Sequence, residues 1–303
     1  MNPTLNHGHR RTDLVGLLIA VVFASSAATL MHANEAPSLA IAFWRNALAA
    51  VVLLPMVFKH RPEIRKLSKA QWRPIAAAGL FLGIHFATWV PSVKLTSIAS
   101  ATALVSTQVV FAALFAVLAG RKAPRIQALG IAVALVGVVV LTGIDFSISP
   151  TAIAGDLLAL IGAVLVAAYM HNGQKVRSLL PLTVFTGLVY LIAAITLLIV
   201  CLAMGVPLFG YSLNSWLLIF AVTIFAQFGG HTFYNRALRS FSPTAVSISI
   251  LFQIPVATII GWIFVGQAPS VELIPAAILI AIGMIIVIRS ERPRGVELEA
   301  GLE

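Results

Sequence analysis

The chain has 303 residues, of which 60% are hydrophobic and only 10% charged, with a mean hydropathy of +1.00. Soluble domains carry about 25% charged residues, so this composition excludes a soluble fold and makes lipid the solvent for most of the chain. Twenty Lys and Arg against ten Asp and Glu leave a net charge of +10, which in a soluble chain would point to nucleic acid; here the basic residues fall between apolar runs and read as topology signals.

A helix needs about 20 mostly apolar residues to cross the bilayer, and ten such runs are predicted. Span 1 (14–32) follows Arg10-Arg11. Span 2 (38–58) carries Trp44, Arg45 and Pro55, with Arg45 about 10 Å from its outer end at 1.5 Å per residue. Span 3 (72–94) places His85, Thr88, Trp89 and Ser92 on one helical face, with Pro91 near its end and Lys94 at it. Span 4 (96–119) has Gln108 near its middle, span 5 is 125–142, span 6 (153–173) carries Tyr169, and span 7 (182–204) holds the single cysteine, Cys201, which excludes an internal disulfide. Span 8 (214–238) repeats the polar stripe with Thr223, Gln227, His231 and Tyr234, and Asn235 beside it. Span 9 (243–264) carries Ser249, Gln253 and Pro255, and span 10 is 270–289. Barrel strands would be about 9–11 residues with alternating polarity, and neither appears. Arg10-Arg11 and the run after it loosely resemble a secretory signal, but the run is longer than a signal's usual 7–15 residues.

The charges test this count. With the N-terminus in the cytoplasm, 18 of the 20 basic residues fall on the inner side, only Lys94 falls outside, and Arg45 lies within a span. That alternation follows the positive-inside rule and predicts ten spans with both termini cytoplasmic. All ten acids sit at span ends or outside spans, so no carboxylate is expected mid-membrane. The solute is then small and neutral or zwitterionic, held by aromatic rings and amides.

A shift of about 146 residues brings the two halves into register: Gly83-Ile-His85 meets Gly229-Gly-His231, Ala99 meets Ala245 and Gly137 meets Gly283. After a one-residue gap, Gln108 meets Gln253 and Ala123-Pro124 meets Ala268-Pro269. Five spans per half is odd, so the second repeat (149–303) must run inverted relative to the first (1–148). Inverted repeats with a solute site at their midplane seam characterise secondary transporters.

Motifs add a resemblance. Trp44-Arg45 in span 2, the stretch Lys94-Leu-Thr-Ser-Ile-Ala-Ser-Ala-Thr-Ala103 with its second copy Arg239-Ser-Phe-Ser-Pro-Thr-Ala-Val-Ser247, and Ile254-Pro255 resemble the EamA-type exporters of the drug/metabolite transporter superfamily. Val109 stands where the first half usually has a proline, and Gly120-Arg121 and Gly266-Gln267 replace the common Gly-Glu. The YddG-like branch is the nearest match. The resemblance implies a ten-helix inner-membrane exporter of neutral or aromatic amino acids, working by alternating access, with spans 3, 4, 8 and 9 lining a central cavity. The candidate cavity residues are His85, Trp89, Gln108, Tyr169, His231, Tyr234, Asn235 and Gln253; Arg45 and Lys94 are candidate charge or gating residues, and Pro55, Pro91 and Pro255 candidate hinges. Downhill, uncoupled export by a monomer is the expectation, with proton coupling through a histidine and a broader drug or metabolite range as the alternative. No zinc-protease, nucleophile-elbow or phosphate-loop motif is present, so no enzyme, metal or cofactor is expected.

Overall fold

The computed structural model describes residues 3–118, 120, 124–149, 151–176, 179–230 and 249–290. These residues contain helices and turns and no strand, as a lipid-embedded backbone must satisfy its own hydrogen bonds. In chain order the helices are α1 (Pro3–His32), α2 (Ser38–Lys59), α3 (Arg61–Arg65), α4 (Lys69–Leu95), α5 (Ile98–Ser106), α6 (Gln108–Leu118), α7 (Arg125–Ile148), α8 (Ala152–Gln174), α9 (Leu182–Ala203), α10 (Leu213–Val222) running into a π-helical segment Thr223–Gly230, α11 (Gln253–Val265) and α12 (Leu273–Ser290). Among the described residues, nine spans are long and apolar enough to cross a membrane, and a tenth apolar helix is described from Ser249 to Val265. Helix starts follow local chemistry. Ser68 and Gln71 form a capping box at α4, and Ser97 and Ser212 accept from the backbone N–H groups of Ser100 and Ser215 to cap α5 and α10.

Two predicted boundaries shift. Span 5 continues to Ile148, so Gly143-Ile-Asp145 is helical rather than a separator. Within span 4 a one-residue turn at Thr107 lies between α5 and α6, and a like turn at Phe252 precedes Gln253 in span 9; both residues keep helical backbone angles, and the apolar helices run on through them, over Ile98–Phe115 and Ser249–Val265. The hydroxyls of Ser106 and Thr107 bond to the carbonyls of Thr102 and Leu104, at 2.7 and 2.6 Å, competing with the helical ladder. Residues flanking both turns, Leu104 and Val110 on one side and Leu251 and Ile254 on the other, share one buried cluster.

The packing obeys a two-fold exchange of repeats. Span 3 packs on span 6 (α4 on α8), and span 8 packs on span 1 (the π segment on α1); span 3 meets span 7, and span 8 meets span 2. Spans 4 and 6, and spans 9 and 1, form the next matched contacts, while spans 2 with 7 and 5 with 10 pair across the pseudo-axis. Small residues permit these approaches. A Cβ on Gly83 would sit 2.8 Å from Thr196, and one on Gly79 would sit 2.5 Å from Ile192, both on α9. Gly229, which the repeat register matches to Gly83, abuts Phe23 of α1.

Candidate functional site

The face of α4 predicted to be polar points into the molecule. His85 is 5% exposed, and its Nδ1 lies 2.8 Å from the carbonyl of Gly162 on α8. Its ring stacks on Trp89 at 5.8 Å between centroids and 11° between planes, and lies 4.9 Å from Phe86. Gly162 is what admits them: a Cβ there would stand 3.3 Å from Trp89 and from the Thr88 hydroxyl. Thr88 and Ser92 bond back to carbonyls of their own helix, at 2.9 and 2.6 Å, as intramembrane hydroxyls commonly do. The indole N–H of Trp89 is different: it is buried and has no hydrogen-bond partner among the described residues. Tyr169, seven residues after Gly162 on the same face of α8, packs against the cluster that contains Phe86 and Tyr190.

Arg45 does not snorkel to the surface. It is 2% exposed, its Nε donates to Gln227 Oε1 at 2.8 Å, Nη1 reaches Met31 Sδ at 3.6 Å, and its guanidinium lies 4.3 Å from the centroid of the Phe86 ring. Gln227 also donates to Asn46 Oδ1 at 3.2 Å, and Asn46 in turn donates to the Ala42 carbonyl at 2.8 Å. This network ties α2 of the first repeat to the π-helical segment of the second. Neighbouring Trp44 points the other way, into a second aromatic group with Phe209 and Trp216, and donates to the Leu208 carbonyl at 2.7 Å. Gln227 was visible in the sequence as a member of the span 8 stripe; Asn46 was missed, because an asparagine one residue from an arginine carries no spacing signal.

Gln108 and Gln253, half-buried, open α6 and α11, the helices that follow the two turns. The Gln108 side chain has no hydrogen-bond partner among the described residues. His231, Tyr234 and Asn235 lie outside the described residues. Of the hinge candidates, Pro55 and Pro91 are interior to α2 and α4. Pro255 is the third residue of α11, where a missing N–H interrupts little. The one-residue turns fall at Thr107 and Phe252 instead.

The end of the bundle that carries Lys94 is closed by polar clamps. Lys94 Nζ donates to the carbonyls of Asn34 and Ala36, at 2.5 and 2.8 Å, holding the turn between α1 and α2. Asn34 Nδ2 donates to the Ser215 carbonyl at 3.0 Å. Gln267 Oε1 accepts from Ile98 N at 3.0 Å, and its Nε2 lies 2.9 Å from His32 Nε2, so one amide spans both repeats. A cavity of about 330 Å³ lies among His32, Lys94, Asp145 and Gln267. Two acids at this end are not solvated: Asp145 is 4% exposed and Asp156 0%, with Thr96 Oγ1 3.5 Å from Asp145 Oδ2, whereas Glu35 and Glu272 are exposed. The helical continuation of α7 past residue 142 carries Asp145 inward. Among the described residues, no group of three His, Cys, Asp or Glu side chains is placed to hold a metal.

Comparison with known proteins agrees with this architecture. The profile of the EamA-like transporter family matches residues 10–143 and 153–289. An "Uncharacterized transporter" of Clostridium kluyveri is 28% identical over 250 residues, 79% of either chain, and another from Archaeoglobus fulgidus is 29% identical over 170 residues, 54% of this chain and 58% of that one. A crystal structure of another protein superposes on 93% of this chain and 99% of its own with a TM-score of 0.60 at 21% identity, a likeness of fold.

Proposed function

We propose that this chain, which belongs to the EamA-like transporter family, exports small neutral or aromatic amino acids or related metabolites across the inner membrane by alternating access between its two repeats. That it is a multi-pass membrane transporter rather than an enzyme follows from the family; the solute and the coupling are our reading. The observation that carries it is the pair of matched one-residue turns at Thr107 and Phe252, each followed by a glutamine, inside two inverted repeats. A local loosening of the helical ladder at a repeat seam offers polar groups to a solute.

The aromatic group of His85, Phe86 and Trp89 favours solutes with a flat apolar part, and the unpartnered Trp89 N–H supplies one donor to orient it. This supports the YddG-like amino-acid exporters as the functional comparison. The repeats divide at residues 148 and 149, both termini lie in the cytoplasm, and the transporter works as a monomer. In that orientation the basic turn Lys59–Arg73 faces inward, and the clamps of Lys94 and Gln267 close the outer mouth. The described state is then shut to the outside, and solute enters from the cytoplasm.

Transport is downhill and uncoupled. The second reading, a proton-coupled exporter of broader range, draws on the buried Asp145 and Asp156 and on His85. Purified protein in liposomes loaded with labelled tryptophan, threonine or a quaternary ammonium dye separates them. Amino-acid efflux that is unchanged by a pH gradient is expected. Dye efflux without amino-acid efflux refutes the substrate reading, and efflux that requires the gradient refutes the uncoupled one.

A further inference from the structure

We propose that Arg45 is the receptor for a carboxylate on the transported solute, and that Gln227 occupies that position until the solute arrives. The inference rests on the amino-acid reading of the site and adds to it the group that reads the acid. A guanidinium has five N–H donors and stays charged, and burying it among spans is costly unless something compensates the charge. The described contacts of Arg45 are one amide oxygen, one thioether and one aromatic face. None is an anion. None of the ten acids belongs to the apolar stretch around Arg45; the nearest in sequence, Glu35, precedes α2 altogether.

The position suits a solute. Phe86, whose face carries the guanidinium, is the ring next to His85, and His85 stacks on Trp89. A solute with its ring among these aromatics would lie one side chain away from the cation. A carboxylate offers two oxygens in the fork geometry a guanidinium prefers, whereas Gln227 offers one neutral oxygen. The exchange is therefore favourable and has a mechanical consequence. The Arg45–Gln227 bond links α2 in the first repeat to the π-helical segment in the second, and π turns inside helices are common at functional sites. A solute that takes Arg45 releases Gln227, so the two repeats lose a contact only when cargo is present. A ligand shifts a conformational equilibrium through such differential contacts alone.

The test uses the full chain in detergent, with thermal stabilisation read against indole-3-propionate, its neutral amide and tryptamine. Wild type should be stabilised by the carboxylate at concentrations at least tenfold below those needed of the amide or the amine. Arg45→Lys should weaken the carboxylate response. Gln227→Glu, which keeps the shape of the side chain and places a permanent carboxylate on Arg45, should abolish the preference while the unliganded protein melts as a single folded species. Equal responses to carboxylate and amide in wild type, no response to the carboxylate at millimolar concentration, or a preference that survives in Gln227→Glu would each overturn the assignment. Carboxylate preference without amino-acid flux in liposomes sustains Arg45 as an acid receptor and refutes the amino-acid reading. Amino-acid flux without that preference does the reverse.

Discussion

One of the tightest helix contacts among the described residues provides a sharp stability test. Gly283 on α12 lies so near α7 that a Cβ would stand 2.6 Å from the Gly130 carbonyl oxygen and 2.7 Å from the Ala134 Cβ, besides meeting the Ala134 backbone nitrogen. Two of these three atoms are backbone, so no side chain can swing away. Ordinary contact begins near 3.4 Å, and Gly283→Ala therefore forces α7 and α12 apart by roughly 1 Å, since small residues at such seams set the helix separation. Overpacking of this kind costs about 1–3 kcal/mol, and a gap of 0.5–1 Å forfeits a quarter to a half of the dispersion energy along the seam. Alanine regains up to about 1 kcal/mol of helix propensity, leaving a net loss of about 2 kcal/mol. Gly143, on the same α7, is the control: a Cβ there has nothing within 4 Å, so Gly143→Ala keeps only the gain. At roughly 2–4 °C per kcal/mol for domains of 150–250 residues, the two variants should melt about 6–12 °C apart in fluorescence-detected unfolding of the detergent-solubilised protein. A Gly283→Ala melting point equal to or above that of Gly143→Ala would show that α7 and α12 do not pack as described.

Lys94→Met keeps the aliphatic stem but removes the donor to Asn34 and Ala36; a loss of about 1–2 kcal/mol is expected and an unchanged melting point would refute the clamp. Trp89→Phe removes an indole N–H that has no hydrogen-bond partner among the described residues. Melting should change little while the apparent affinity for solute falls up to about tenfold, the worth of one hydrogen bond; equal affinity would dismiss the N–H as a solute contact. Burial, with a smaller contribution from neighbouring Cys201, raises the pKa of the Tyr211 phenol above its ordinary value. Ultraviolet titration of wild type minus Tyr211→Phe should therefore show ionisation beginning above the pH of a free phenol, and a curve at or below that pH contradicts the described loop.

The global architecture was legible because lipid imposes it. A backbone without water must be helical, and the bilayer sets helix length. The repeat was legible for a related reason: Gly83 and Gly229, or Gly137 and Gly283, each serve a close helix contact, and a contact that only glycine admits leaves the same letter in both halves. Helix continuity was harder to read. Spans 4 and 9 read as uninterrupted apolar runs, and nothing in them marks the one-residue turns that precede Gln108 and Gln253. In span 4 the local cause is a pair of hydroxyls bonding to carbonyls, and Ser and Thr are too common in membrane helices for that pattern to stand out.

The site resisted sequence reasoning where its partners are distant or are backbone. His85 is held by the carbonyl of Gly162, a group every residue possesses, so no motif could announce it. Whether Arg45 faced outward or inward depended on Gln227, separated from it by 182 positions. An arginine two turns inside a helix can reach water from either register, and only the π-helical segment, which turns Gln227 toward α2, decides between them. Asp145 and Asp156 show the same limit from the opposite side. Acids at span ends look solvated when the end is taken to be the last apolar residue, but α7 continues to Ile148 and folds its carboxylate under the turn at Thr96. The exclusion of buried acids therefore holds for the Arg45 layer and not for the Lys94 end. A buried cation without an acid lies deeper in the bundle, while buried acids sit at its closed mouth. A solute carrying its own carboxylate can compensate the first without disturbing the second.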